Sequence, residues 1–157
     1  MLSDLATLLY NKYCDTGDLF KLEEATQATR EAISLTLKNS RDLPSLNIAL
    51  SISLTIQYQE TALVSYSDKA SKTAELVLRN TYPWVPEHAY LLIILGDIYL
   101  ERFNKTGEDH WRGRASLEYL WGVRSSYSYV NDRIAAGARV LATCEDTLYR
   151  IYGTLPN

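Results

Sequence analysis

The chain has 157 residues and a formal net charge of −3, and 46% of its residues are hydrophobic. That length fits one ordinary domain or three to four stacked repeats, and the scarcity of glycine and proline favours an ordered, mostly helical chain. The slightly acidic balance argues against a nucleic acid or an anionic membrane surface as the partner.

Cysteine usage and the N-terminus bear on the compartment. Cys14 and Cys144 are too few for a disulfide framework and do not form a CxxC pair. Both lie in helical patterns, where we expect free thiols that pack against their neighbours. The N-terminus lacks a signal-peptide pattern, and no apolar run is long enough to span a bilayer. These features predict a cytoplasmic protein in a reducing environment, without a membrane segment.

Apolar residues at helical spacing predict seven helices in chain order. The first stops at Gly17, and Asp18 then caps the second. Pro44 suits the first turn of the third, with Asp42 as a candidate cap. The isoleucines of this helix would suit a strand, but its length favours a helix. The predicted helices cover about residues 2–16, 19–35, 46–59, 65–80, 87–103, 109–123 and 132–151.

The helical pattern repeats with a step of 45 residues. The matching sets are Leu5, Leu50 and Leu95; Tyr13, Tyr58 and Phe103; Ala25, Ala70 and Ala115; and Thr16-Gly17, Thr61-Ala62 and Thr106-Gly107. A fixed period of this length is the signature of stacked helical hairpins. We therefore predict a single all-α domain over 1–157, with repeats at about 2–38, 44–82 and 86–127 and a terminal helix at 131–152.

The third repeat resembles the tetratricopeptide repeat. It carries that family's order of small and large packing residues: Leu92, Leu95, Gly96, Tyr99, Ala115 and Tyr119. The period of 45 exceeds the family's usual 34, and Ala6 stands where the glycine is expected in the first repeat. The long variant, with its turn and Leu-Glu-Glu-Ala segment over 13–25, is similar to repeats of large fungal and bacterial proteins. Some of these proteins also carry a caspase-like CHAT domain or a nucleotide-binding signalling domain.

The resemblance implies a right-handed α-solenoid of about seven helices, which binds a protein segment in its concave groove. Ten residues are predicted to bind the partner there: Tyr10, Asn11, Ile48, Ile52, Ile56, Tyr90, Ile93, Asp97, Glu101 and Glu145. Further residues expected on the same surface are Ser3, Thr7, Ser45, Thr55, Leu100, Ala135, Ala138, Ala142 and Asp146. Because the middle of this surface is isoleucine-rich and one end is acidic, we expect a partner with an apolar anchor and basic flanks.

No residue pattern points to catalysis, a cofactor or a metal. His88 and His110 are the only histidines, and neither lies in a motif that would activate a cysteine. The adjacent acidic pairs lack metal-ligand spacing, and there is no glycine-rich phosphate loop. Arg112 and Arg114, beside Trp111, form a small basic cluster, which we expect to be a solvated helix end.

Two classes of function remain open at this stage. The first is a non-enzymatic scaffold or adaptor that binds a peptide or protein segment. The second is the sensor or oligomerisation arm of a larger signalling or CHAT-protease-type protein. A separate alternative for the isoleucine-rich surface is that a following helix or a second copy of the chain covers it.

Overall fold

A computed structural model describes residues 2–37, 40, 42–84 and 86–152, and the side chains of residues 146–152 are not described. The described residues form seven α-helices and no strand, which confirms the predicted all-α fold. The helices are α1 (Leu2–Thr16), α2 (Leu19–Leu35), α3 (Leu43–Thr61), α4 (Val64–Arg79), α5 (His88–Thr106), α6 (Asp109–Arg124) and α7 (Val130–Tyr152). Lys38, the predicted end of the first repeat, lies outside the described residues.

Helix starts follow local chemistry, with one difference from expectation. The Asp18 carboxylate accepts a hydrogen bond from the backbone N–H of Phe20 at 3.0 Å and so caps α2. Asp42 occupies the N-cap position of α3, but its side chain makes no capping hydrogen bond. Pro44, in the first turn, suits this start because it has no N–H to satisfy.

The turn inside each hairpin is the same structure three times, at 45-residue steps. Gly17, Ala62 and Gly107 each adopt a left-handed conformation, with φ of 69°, 56° and 71°. Each donates its N–H to the carbonyl four residues earlier, at 2.7, 2.8 and 2.7 Å. The preceding threonine hydroxyl also donates to its own i−4 carbonyl in every copy. The 45-residue period of the sequence is therefore also a period in backbone conformation and hydrogen bonding.

The first compact unit covers residues 1–77. Helix α2 contacts both α1 and α3 within it. Leu22, Leu54 and Tyr58 are almost completely buried, as are the repeated alanines Ala25 and Ala70. Small residues at those two positions allow close packing of neighbouring helices.

The second compact unit covers residues 78–157. Its helices α5, α6 and α7 all contact one another. Burial in α5 is nearly continuous, since every residue of 91–96 is buried. A Cβ placed on Gly122 would lie 3.0 Å from the Cβ of Ala136, so α6 and α7 approach closely through two small residues.

The expectation that the cysteines pack inside the protein is wrong, because both are exposed, although both thiols are free as predicted. Cys144 is one period after Tyr99, whose ring stacks on Trp111 of the following helix α6. No described helix follows α7 to cover Cys144 in the same way. Among the described residues, no helix is both long and apolar enough to cross a membrane.

Candidate functional site

A cleft of about 590 Å³ in the first unit is the strongest candidate site. It lies between α1 and α3, and α2 forms its floor. Its volume is within the range of natural ligand pockets, roughly 300–1,000 Å³. Its lining residues are Leu2, Ser3, Ala6, Thr7, Tyr10, Ala25, Thr29, Ala32, Leu35, Thr36, Asp42, Ser45, Leu46, Ala49, Ile52 and Ser53.

Small side chains on all three helices create the cleft. The floor presents Ala25, Thr29 and Ala32 from successive turns of α2, and each is less than 9% exposed. The walls add Ala6 from α1 and Ala49 from α3. Since none of these side chains reaches across the gap, the space between α1 and α3 stays open.

Three threonine hydroxyls of the lining can act towards a ligand only as hydrogen-bond acceptors. The hydroxyls of Thr7, Thr29 and Thr36 each donate to the carbonyl of the residue four positions earlier, at 2.9, 2.8 and 2.6 Å. A hydroxyl that has used its proton retains only acceptor capacity. Asp42, which is exposed at the start of α3, adds a carboxylate. The cleft therefore favours a ligand with an apolar body and hydrogen-bond donors.

The corresponding place in the second unit is filled by the chain itself. Tyr119 of α6 is completely buried and donates its hydroxyl proton to Asp97 Oδ1 of α5 at 2.7 Å. Arg139 of α7 binds the same carboxylate through Nε at 2.7 Å and Nη2 at 3.0 Å. Burial and the neighbouring Asp97 carboxylate raise the pKa of Tyr119 above its usual range, so the phenol remains a donor.

A glycine makes room for this tyrosine. A Cβ placed on Gly96 would lie 2.7 Å from Cδ1 of Tyr119, which is closer than real carbon contacts allow. The cluster consists of Gly96, Asp97, Tyr119 and Arg139. Each of them has a counterpart in the cleft, two repeat periods earlier in the sequence. Those cleft residues are Ala6, Thr7, Thr29 and Ala49. The cleft is open because a threonine and an alanine stand where the second unit has Tyr119 and Arg139.

The predicted partner-binding residues of the first unit lie in or near this cleft. Tyr10 and Ile52 line it, as do Ser3, Thr7 and Ser45 from the wider predicted surface. Asn11 is exposed one residue beyond Tyr10. Ile48 and Ile56 are half-buried on α3 and are not among the described lining residues.

The other five predicted residues lie in the second unit and have different surroundings. Tyr90 and Glu145 are exposed, and Glu101 is half-buried. Ile93 is 4% exposed, so it is a packing residue rather than a surface contact in this structure. Asp97 is held by Tyr119 and Arg139, which reduces its availability to a partner; the side chain of Asp146 lies outside the described residues.

Sequence reasoning missed the floor of the cleft and the position of Asp42 at its edge. Thr29 and Ala32 of α2 belong to the helical apolar pattern and are not among the predicted binding residues. The signal available in the sequence was the repeat register, in which Thr29 matches Tyr119 and Ala49 matches Arg139. Comparing side-chain volumes at matched positions would have shown that the first unit lacks these two large groups.

A second polar cluster joins the α6–α7 turn to the start of α5. His88 Nδ1 lies 2.9 Å from Ser125 Oγ, and Ser128 Oγ accepts the backbone N–H of Ala89 at 2.9 Å. Burial lowers the pKa of His88. Ser125 is 8% exposed, and its hydroxyl lies 3.2 Å from the carbonyl of Trp121. These contacts hold the α6–α7 turn against the start of α5. The Ser128 hydroxyl also satisfies a backbone N–H of the first helical turn, where such groups have no partner within the helix.

The predicted basic cluster of Arg112 and Arg114, together with Arg102, contacts aromatic rings of the α5–α6 hairpin. The guanidinium of Arg102 lies 4.1 Å from the centre of the Trp111 ring, and that of Arg114 lies 4.3 Å from the centre of the Tyr99 ring. Arg112 binds Asp109 at 2.8 Å. These contacts stabilise the hairpin through cation–π and charge interactions.

Comparison with known proteins found no matching protein-family model, no matching curated protein and no matching solved structure. In the part of the chain that the structure describes, no cluster of three or more His, Cys, Asp or Glu side chains is placed to hold a metal ion. The cleft between α1 and α3 is therefore interpreted from its own chemistry.

Proposed function

We propose that this protein is a non-enzymatic, tetratricopeptide-like scaffold or adaptor that binds a peptide or protein segment in the cleft between α1 and α3. The observation that carries the proposal is the cleft of about 590 Å³, with its apolar body and acceptor-rich polar groups. A cytoplasmic, reducing environment is part of the proposal, since both cysteines are free and exposed.

The repeat supports this type of protein. Three left-handed turns with matching hydrogen bonds recur every 45 residues, as expected for stacked helical hairpins. We propose that the hairpins form a right-handed solenoid, whose first helices present the binding surface. Helical-repeat proteins commonly bind extended or helical segments on such surfaces.

The chemistry of the cleft supports a partner with an apolar anchor and a basic flank. Leu2, Leu46 and Ile52 provide apolar lining, while Asp42 supplies a negative charge at the edge. An apolar side chain gains free energy on entering such a cleft, and a neighbouring cation gains from the carboxylate.

A selection experiment tests the proposal. A phage-displayed library of random 12-residue peptides is selected on the wild-type chain, and the selected peptides are synthesised and measured by isothermal titration calorimetry. Ile52→Glu, which places a charge in the cleft, should weaken binding by about tenfold or more. Gln59→Glu adds the same charge at an exposed position of α3 and should change affinity less than about twofold. Equal affinity of the two variants, or no selected peptide, would contradict the proposal.

A second candidate function is an oligomerisation or sensor arm of a larger signalling protein. The observation that favours it is the exposed apolar side of α7, where Val130, Ile134 and Leu141 are 64%, 64% and 66% exposed. A patch of this kind marks interaction surfaces. Sedimentation equilibrium of the wild type and of Leu141→Glu checks it. A concentration-dependent dimer that the variant abolishes supports this function, and a monomer at about 100 µM, where weak interfaces associate, counts against it.

A further inference from the structure

We propose that the cleft between α1 and α3 binds an aromatic side chain with a hydrogen-bond donor at its tip, a tyrosine or tryptophan, which is followed in the partner by a lysine or arginine that pairs with Asp42. This inference rests on the proposed function and specifies the partner of the same cleft.

The size of the anchor follows from the chain's own second unit. There, the equivalent space contains the buried ring of Tyr119, packed directly against Gly96. In the cleft the matched positions carry Thr29 and Ala6, so the volume of an aromatic ring is absent from the floor. The walls of the two sites derive from matched turns of equivalent helices, and a ring therefore suits both spaces.

The donor at the tip follows from the hydroxyls of the lining. Thr7, Thr29 and Thr36 have each donated their proton to a helix carbonyl and can only accept. A phenol O–H or an indole N–H can donate to one of these three oxygens, whereas a phenylalanine or leucine side chain would leave all three unmatched. In the second unit the Tyr119 hydroxyl makes an equivalent donation, to Asp97.

The cation follows from the charge at the edge of the cleft. Asp42 is the only ionisable carboxylate among the described lining residues. Its side chain makes no capping hydrogen bond to α3, so its oxygens can accept bonds from a partner.

Four small probes separate these requirements. The ¹⁵N-labelled full chain is titrated with toluene, p-cresol, tyramine and 3-(4-hydroxyphenyl)propionate, and amide shifts are followed by NMR. Toluene tests the ring alone, p-cresol adds the donor, tyramine adds a cation and the propionate adds an anion. We expect shifts confined to the residues around the cleft and the affinity order tyramine, p-cresol, then toluene, with tyramine about tenfold tighter than the propionate.

Three variants connect the result to the cleft. Ala6→Gly combined with Thr29→Tyr copies the second unit and should fill the cleft, which would reduce tyramine binding by about tenfold or more. Gln27→Tyr adds a tyrosine at an exposed position of the same helix and should leave binding unchanged. Asp42→Asn should remove the preference for tyramine over the propionate while the affinity for p-cresol stays the same.

The wild-type probe series needs no variant, so the inference can be tested even if the filled double variant does not fold. Equal affinities of tyramine and the propionate, or of p-cresol and toluene, would overturn the inference. If selected peptides bind in an Ile52-dependent way but lack an aromatic residue followed by a cation, the inference also fails, while the proposed function stands. If Ile52→Glu alters neither peptide nor probe binding, both fail.

Discussion

The two units of this protein build the same three-helix pattern with opposite outcomes. In the second unit Tyr119, Arg139 and Asp97 bind one another, and α5, α6 and α7 all make contact. In the first unit the matched residues are small, and a cleft of about 590 Å³ lies between α1 and α3. The difference teaches that a repeat can keep its backbone turns while changing two or three side chains that decide whether a site exists.

The matched residues Gly96 and Ala6 contribute to this difference between the two units. Gly96 is required by the tyrosine ring beside it, whereas its counterpart Ala6 faces the cleft without such a neighbour. The difference between Ala6 and Gly96 therefore has a physical reason. Where no ring approaches the helix, a Cβ is tolerated, and alanine is the better helix former.

The largest expected effect comes from giving the second unit the first unit's residue, Tyr119→Thr. Removing a completely buried ring and its hydrogen bond to Asp97 should lower the free energy of unfolding by about 3–5 kcal/mol. Urea unfolding followed by circular dichroism measures the change. The control Tyr127→Thr removes a side chain that is 69% exposed and should cost less than about 0.5 kcal/mol. Similar losses for the two variants would show that the Tyr119 cluster is not a core.

Gly96→Ala should have the next largest effect. The new Cβ would overlap the Tyr119 ring, which is fully buried, so the cost should be about 1–3 kcal/mol in spite of alanine's better helix propensity. Gly113→Ala, in the exposed part of α6 with no atom within 4 Å of the new Cβ, should instead stabilise by about 0.5–1 kcal/mol. Thermal unfolding of both variants tests whether their stability changes have opposite signs. Stabilisation by Gly96→Ala would refute the close packing of Gly96 against the Tyr119 ring.

The three repeated turns offer a smaller and more local test. Ala62 has a φ of 56°, where its Cβ is strained, while Gly17 and Gly107 occupy the same conformation without one. Ala62→Gly should therefore stabilise the protein by about 0.5–1 kcal/mol. The reciprocal change Gly17→Ala should destabilise it by about the same amount. Chemical unfolding measures the change in the free energy of unfolding for each variant. Changes of the same sign in the two variants would contradict the shared turn geometry.

Mild acid should affect the second unit through His88 and leave the first unit unchanged, because residues 1–77 contain no histidine. Burial lowers the folded pKa of His88, so the unfolded chain binds a proton at higher pH than the folded chain. The stabilisation is complete above the ordinary histidine pKa of about 6.5 and is lost as the pH falls through the lowered folded pKa.

Amide hydrogen exchange at different pH values, corrected for the intrinsic pH dependence of exchange, measures this effect. Protection in α5 and the α6–α7 turn should fall below the ordinary histidine pKa, and His88→Gln should remove that dependence. His110→Gln, at an exposed side chain near Glu108, should retain it. Acid sensitivity that follows His110 instead would disprove the role of the His88–Ser125 contact.

Much of the fold was predictable because it depends on neighbours in sequence. The helix stop at Gly17 and the Asp18 cap are local, and both are confirmed. The predicted binding residues were harder to place. Tyr10 and Ile52 line the cleft, but Ile93 is buried. Its burial could not be predicted, because the spacing of hydrophobic residues along a helix does not show how many sides of the helix are packed against neighbours.

The sequence by itself determined the seven helices, the 45-residue period and the repeated turns, because hydrogen bonding and side-chain periodicity act over a few residues. Only the tertiary structure decided that Asp97 is bound by Tyr119 and Arg139, that Cys144 is exposed and that a cleft lies over α2. These features depend on the separation of helices, which is set by the sum of side-chain volumes from different parts of the chain.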